Sequence, residues 1–375
     1  MTLFANARKI DAQGVVEDFW MQVDDGVIVA TGTGTPPLAD AVVDVEGDWL
    51  APGFLDLHCH GGAGASVEQG PEAIAAMLAV HRAAGTTRSA LSLVANPVAA
   101  LTESLALIAT LSESDPLLLG AHLEGPFLAR ERRGAHNADF LLPPSLDVAD
   151  ELLAAGRGHI AQVTIAPELP GALAVVERFA AAGVTVAVGH TEASYAATRE
   201  AFDHGARLVT HAFNAMPGIH HRAPGPVVAA LDDERATLEL ILDGDHVDPR
   251  VARVLFESAP TRVALVTDAM AAAGSADGDY QLGSLSVAVR DGRAMLRGTT
   301  TIAGSTLTQD RALRVAIHDA GVDPVVAVTA LTAAPARALG RDDLGELSVG
   351  RAADAVRLDG GWRVRGVWAA GHPIA

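Results

Sequence analysis

Short apolar runs, five of them ending in a histidine or a carboxylate, recur along this chain with helical stretches between them. No other feature limits the fold as tightly. The runs span 53–60, Thr86–Val94, Leu117–Glu124, Ile160–Ala166, Val184–His190, Leu208–His211, Thr237–Leu242 and Val263–Asp268. Helical patterns at Pro71–Ala84, Val98–Ser112, Pro170–Ala182, Ser194–His204 and Pro249–Ala259 separate most of them. Gly85, Gly183 and Gly205 stand just past helix ends, where a left-handed cap is wanted. Strands alternating with helices imply a parallel sheet. Eight such units within 375 residues fit an α/β fold of the (β/α)8 TIM-barrel type. An open doubly wound sheet is the alternative.

The flanks have a different texture. Residues 1–50 carry short alternating runs around the turn Asp24-Asp25-Gly26, and the tail repeats this on both sides of Asp359-Gly360-Gly361. Neither end is large enough to be a stable sheet alone. Paired, 1–50 and 345–375 make a small β-sandwich domain beside a barrel of 51–344. Val287–Leu296, turned at Asp291-Gly292, reads as a further hairpin inserted after the eighth strand, near the rim.

Composition removes several functions. The formal charge is −19 with 27 basic side chains, so a nucleic-acid surface is not expected, and an anionic substrate needs local cations. One cysteine excludes an internal disulfide framework. The start of the chain lacks the apolar core of a signal peptide, and no run is long enough to span a bilayer; a cytoplasmic protein without a membrane partner is expected. Lys9 is the only lysine. A Schiff-base nucleophile, a phosphate-loop cation and a carbamylated metal bridge are therefore not available in the body of the chain.

In a barrel, chemistry sits at the C-terminal ends of the strands. His58 and His60, two apart on a strand, point to one side and suit a divalent metal. The third run ends in Glu124, the fifth in His190, the sixth in His211 and the eighth in Asp268. One histidine at a strand end is usually a hydrogen-bonded structural residue. Six such groups at five predicted ends are hard to explain as packing, because buried polar groups are costly unless compensated. A metal there lowers the pKa of water and polarises a carbonyl, while Asp268 can carry a proton. That set describes hydrolysis of an amide, ester or amine.

The remaining histidines divide. His122 is expected to support the site or the core, and Cys59 to point away from the imidazoles into the core. His81, His204 and His318 are expected to be solvated on helices, and His159 and His372 to be structural. His136 and His246, in loops after strands three and seven, are expected at the mouth. His220 and His221 stay undecided.

Several motifs carry a resemblance. They are Pro52–Gly61, His122-Leu123-Glu124-Gly125-Pro126-Phe127, Gly134-Ala135-His136-Asn137, Gly189-His190-Thr191, Thr210–Pro217, Asp243–Asp248, Val266-Thr267-Asp268-Ala269 and Ala303-Gly304-Ser305. They resemble the amidohydrolase superfamily and, within it, the family that deacetylates N-acetyl-D-glucosamine 6-phosphate. The resemblance implies release of acetate and D-glucosamine 6-phosphate. It implies that Glu124, His190 and His211 hold the principal metal, with His58 and His60 helping to hold a second. Zinc is the first choice for one or two ions per subunit; iron, manganese, cobalt and cadmium are alternatives. Asp268 would activate water and protonate the amine, and His136 would steady the acetyl oxygen. Asn214 and Ala215 would receive the phosphate, with Arg222 and His246 reaching it from the neighbouring subunit of a homodimer. Arg132-Arg133 replaces a basic loop segment of some relatives and keeps its charge. Other amidohydrolase chemistry on a cyclic amide or another N-acetylated sugar is the alternative. A silent sugar-phosphate sensor is a third, which the intact Asp268 disfavours.

Overall fold

The computed structural model describes residues 1–375. The first fifty or so residues form β1 (Thr2–Asp11), β2 (Gly14–Asp24), β3 (Val27–Thr33), β4 (Ala41–Asp44) and β5 (Trp49–Pro52). Asp25 and Gly26 take the positive φ values, 46° and 76°, that a tight hairpin between β2 and β3 needs. β1 runs parallel to β4 through Thr2–Ala5 and parallel to β5 through Arg8 and Lys9. One strand thus serves two partners, and the sheet folds over a small core that includes Phe4, Met21, Ile28 and Leu50.

The chain then enters the barrel. β6 (Phe54–Cys59) is followed by the small hairpin β7 (Gly61–Gly62) and β8 (Ala65–Ser66) and by α1 (Pro71–Ala83). Next come β9 (Thr86–Val94), α2 (Val98–Ser114), β10 (Leu118–Glu124), α3 (Leu146–Gly156), β11 (Ile160–Ile165) and α4 (Ala172–Ala181). β12 (Thr185–Val188), α5 (Tyr195–Asp203), β13 (Leu208–Val209), α6 (Gly225–Leu231), β14 (Thr237–Ile241), α7 (Pro249–Ser258) and β15 (Val263–Val266) complete the series. The order is β15-β14-β13-β12-β11-β10-β9-β6, and each neighbouring pair is parallel. The two ends meet where Asp268 N–H donates to His58 C=O at 2.8 Å and His60 N–H to Ala269 C=O at 2.9 Å. The fold is a (β/α)8 barrel with a small β domain, not an open sheet.

β16 (Gly278–Leu282), β17 (Leu285–Arg290) and β18 (Arg293–Leu296) form a separate antiparallel sheet over the mouth, one strand more than the sequence pattern announced. After α8 (Gln309–Arg314), α9 (Pro324–Leu331) and α10 (Ala333–Ala338), the tail gives β19 (Ala355–Leu358), β20 (Val364–Ala369) and β21 (His372–Pro373). β19 pairs with β5, so both chain ends build one sheet. Helices begin where side chains cap free N–H groups: Ser145 accepts from Val148, Ser194 from Ala197 and Asp248 from Arg250.

Candidate active site

The strand-end residues gather at one mouth. Glu124 is the last residue of β10, and its Oε1 lies 3.0 Å from His190 Nε2 and 3.1 Å from His211 Nε2. Those two imidazole nitrogens are 3.0 Å apart. His190, His211 and Asp268 each stand two residues past the regular strand, with φ of 48°, 29° and 47°. Left-handed backbone is strained for such residues and has to be imposed by its surroundings. Around Asp268 the imposing groups are visible. Thr267 is clamped to the buried Asp56 through Oγ1 (2.6 Å) and its N–H (3.2 Å). Ser305 N–H donates to Asp268 C=O at 2.7 Å. Gly304 has φ 64°, and a Cβ there would lie 3.0 Å from that same carbonyl, which explains the Ala-Gly-Ser motif.

At the end of β6, His58 Nε2 and the Nε2 of His60, one residue past the strand, are 3.0 Å apart, and Asp268 Oδ1 lies 3.4 and 3.3 Å from them. Glu124 Oε2 is 3.3 Å from His60 Nε2, which joins the two groups. All of these residues are buried. Burial opposes charge on His58 and His60, but Asp268 and Glu124 override it, and His60 rises to about 9. Burial likewise pushes the Asp268 carboxyl up, yet the neighbouring His58 and His60 bring it down to about 2.

The proton inventory shows that a cation fits here. His190 Nδ1 is 2.8 Å from the Arg132 carbonyl, so the proton of the neutral ring sits on Nδ1 and its Nε2 lone pair faces Glu124. His58 Nδ1 is 3.4 Å from Glu239 Oε2, so its Nε2 lone pair faces His60 and Asp268. Lone pairs and carboxylates turned on one another at about 3 Å repel unless a proton or a metal lies between them. Imidazole and carboxylate donors suit a divalent ion. His136 differs. Its Nδ1 accepts the N–H of Ala95 at 3.1 Å, so its proton is on Nε2, 3.2 Å from Glu124 Oε2. It is a hydrogen-bond donor, and burial holds it down to about 4.

His60, Glu124, His136, His190, His211 and Asp268 line a cavity of about 450 Å³ that also touches Arg132, Arg133, Asn214, Ala215 and His246, with His58 buried behind His60 and Asp268. Leu282 and Ile302, from the β16–β18 insertion, form part of its wall.

The amidohydrolase family model matches residues 49–373. An Escherichia coli O157:H7 N-acetylgalactosamine-6-phosphate deacetylase is 36% identical, over 99% of this chain and 99% of its own length. A Caenorhabditis elegans N-acetylglucosamine-6-phosphate deacetylase is 33% identical over 90% of this chain and 85% of its own. A solved Mycobacterium smegmatis N-acetyl-D-glucosamine-6-phosphate deacetylase, an aspartate-to-alanine mutant in complex with N-acetyl-D-glucosamine-6-phosphate, superposes with a TM-score of 0.95 and 39% identity, covering 100% of this chain and 99% of that one.

The chain belongs to the amidohydrolase family. It is a hydrolase acting on an amide, and its family's metal dependence agrees with the donor clusters at the mouth.

Within this amidohydrolase site, one placement departs from the sequence reading. His81 is not solvated: it is 1% exposed, and its Nε2 lies 2.9 Å from the Gly61 carbonyl and 3.3 Å from Cys59 Sγ. It faces inward because the β7–β8 hairpin, folding back after β6, brings the Gly61 carbonyl against α1. His246 lines the cavity, at the mouth where its loop was expected; Asp243 Oδ2, 2.7 Å from its Nδ1, tethers it there. Arg222 is exposed and does not line this cavity. The Asn214 main-chain N–H donates to the His211 carbonyl at 3.0 Å and its Nδ2 to the Ala212 carbonyl at 3.4 Å; Asn214 and Ala215 both line the cavity. Cys59 is core, as expected, with a thiol raised by burial. His122 is buried beneath His58 at 4.4 Å between ring centroids, held by Ser92 Oγ and Thr164 Oγ1 at 2.9 Å each. The sequence reading missed Glu239. Its only signal was one carboxylate inside the apolar run Thr237-Leu238-Glu239-Leu240-Ile241.

Proposed function

We propose that this chain hydrolyses the acetamide of N-acetyl-D-glucosamine 6-phosphate to acetate and D-glucosamine 6-phosphate. The observation that carries the reading is the convergence of Glu124, His58, His60, His190, His211 and Asp268 on one cavity, with a neutral N–H donor, His136, beside them. Glu124, His190 and His211 would hold the principal divalent ion, and His58 and His60, with Asp268 close by, would help hold a second. Zinc suits this nitrogen-rich donor set. When bound, such an ion polarises the amide carbonyl and lowers the pKa of water toward neutrality. Asp268, a carboxylate at neutral pH, takes the proton of the attacking water and returns it to the departing amine. His136 donates from Nε2 to the acetyl oxygen as negative charge develops on it.

The phosphate end would meet Asn214, Ala215 and His246. Arg222 would complete that end from the partner subunit of a homodimer. Its exposure supports a supply in trans, as does the exposed apolar patch of Ile219, Val251 and Val254, whose Ile219 lies three residues before it in the chain. No helix is long and apolar enough to cross a membrane. A sugar phosphate does not cross membranes unaided, which supports a cytoplasmic activity.

The near-full-length likeness to the Escherichia coli deacetylase favours a second reading, the 4-epimer N-acetyl-D-galactosamine 6-phosphate. Acetate release from both phosphosugars by purified protein, before and after removal of metal with a chelator, tests the assignment. The expected result is release from the gluco-substrate that is lost with the metal and regained with zinc. No release from either sugar by metal-replete protein would overturn it.

A further inference from the structure

Glu239 belongs to no donor group named so far, yet it touches both. Its carboxylate is fully buried inside the barrel. Oε2 lies 3.4 Å from His58 Nδ1 and 3.3 Å from the main-chain N–H of His211, while Oε1 accepts Nε2–H of Gln162 at 2.8 Å. β14 neighbours neither β6 nor β11, so the contacts to His58 and Gln162 cross the barrel interior. A carboxylate buried among apolar strands is costly unless its lone pairs are filled, and three donors fill them here. One of these, the His58 ring proton, decides that the lone pair of His58 is on Nε2, which faces His60 and Asp268. Another belongs to the main chain of His211, whose φ of 29° is strained.

We propose that Glu239 is a positioning residue: it fixes His58 in the tautomer that makes its Nε2 a ligand beside His60, and it ties that donor group to the backbone of His211. The inference rests on the metal-dependent reading above. A carboxylate behind a ligating imidazole both orients the ring and raises its basicity, and losing it weakens metal affinity about 10–100-fold. The effect falls on the second ion, because Glu124, His190 and His211 keep their own side-chain contacts. Gln162 supplies a control. Its Oε1 has no partner. In Glu239→Gln, Gln162 can turn its amide over and accept from the new side chain, which leaves an oxygen facing His58. The conservative variant therefore keeps the geometry and removes the charge.

The test is metal binding by the full-length protein. Chelator-stripped protein is titrated with Co2+, followed by visible absorption and by equilibrium dialysis. Wild type is expected to take up two ions per chain. Glu239→Ala should weaken one of them about 10–100-fold and the other less than about threefold, and Glu239→Gln should recover most of the loss. His58→Ala should lose the same ion, and the double variant should be no worse than the single ones, since both act through one imidazole. If Glu239→Ala does not fold, Glu239→Asp, whose shorter side chain withdraws from His58, carries the same expectation. Two ions at wild-type affinities in these variants, or a single ion in wild type, would overturn the inference and leave the hydrolase reading intact. No Co2+ bound by wild type would sink the metal-dependent reading itself.

Discussion

His246 Nδ1 lies 2.7 Å from Asp243 Oδ2 in the wall of the cavity. Burial disfavours the imidazolium, but Asp243 outweighs it and raises the histidine above its ordinary value. The cation therefore persists to higher pH than that of an ordinary imidazole and is lost as pH rises through the raised pKa. A phosphate monoester is already mainly dianionic above about pH 6. KM for the phosphorylated sugar should thus climb on the alkaline side, while KM for unphosphorylated N-acetylglucosamine stays flat. His246→Gln should raise KM for the phosphosugar at neutral pH and abolish its alkaline rise. An unchanged pH profile in that variant would remove His246 from the phosphate.

Asp268 and Arg222 give a complementation experiment. Asp268→Asn cannot accept a proton from water, so turnover should fall at least about 10³-fold, while the ion held by Glu124, His190 and His211 stays bound. Arg222→Ala should raise KM for the phosphosugar several-fold and hardly alter the unphosphorylated sugar. If Arg222 acts across a dimer, mixing the two variants under conditions of subunit exchange yields one intact site per mixed dimer. Activity should then rise above the sum of the parents. A mixture with only the summed activity would place Arg222 within its own subunit or outside the site.

The alternation of strand and helix was enough to announce the barrel, because parallel strands need crossovers and the period-two and helical patterns do not overlap. Six of the strand-end groups were legible for the same reason. A polar side chain after an apolar run has few places to go. Three kinds of information were not in that pattern. The donor role of His136 depends on the N–H of Ala95, 41 residues away in sequence. The burial of His81 depends on where the Gly61 carbonyl lands after the β7–β8 hairpin. Glu239 lies mid-strand and looks like a solvent-facing alternation until the barrel closes around it. In each case the partner is distant along the chain, and periodicity reports only neighbours.

His136 carries a prediction of its own. Its Nδ1 is occupied by Ala95 and its Nε2–H points toward Glu124 and the cavity. Removing one preorganised donor to a developing oxyanion costs about 10²–10³ in kcat. His136→Ala should show that loss with bound metal unchanged, since the ring offers no lone pair to an ion. With its depressed pKa of about 4, His136 is neutral at any higher pH. It should therefore contribute no limb to the rate profile between pH 6 and 9, and only the acid side below that range should feel its protonation. Loss of metal from His136→Ala, measured by elemental analysis, would make it a ligand instead.

Arg88 and Asp354 test how the barrel and the terminal sheet are joined. Arg88 lies on β9, and Asp354 immediately precedes β19. Their Nε–Oδ2 distance is 2.6 Å, and both side chains are 7% exposed. Asp354 also accepts the Ala370 N–H at 2.8 Å, and Arg88 donates to the Pro116 carbonyl. Removing one member of a buried pair leaves the other charged and unpartnered, at about 3–5 kcal/mol. Replacing both with apolar groups of similar size is often near neutral. Arg88→Met should therefore lower the unfolding free energy measured by urea titration by an amount within that range. Arg88→Met combined with Asp354→Leu should recover a large part of the loss, the remainder reflecting the Ala370 N–H left without an acceptor. Both pair members sit on the side of the barrel away from the mouth, so kcat of the folded single variant should match wild type. A single variant as stable as the parent would mean that the ion pair does not hold the two parts of the chain together.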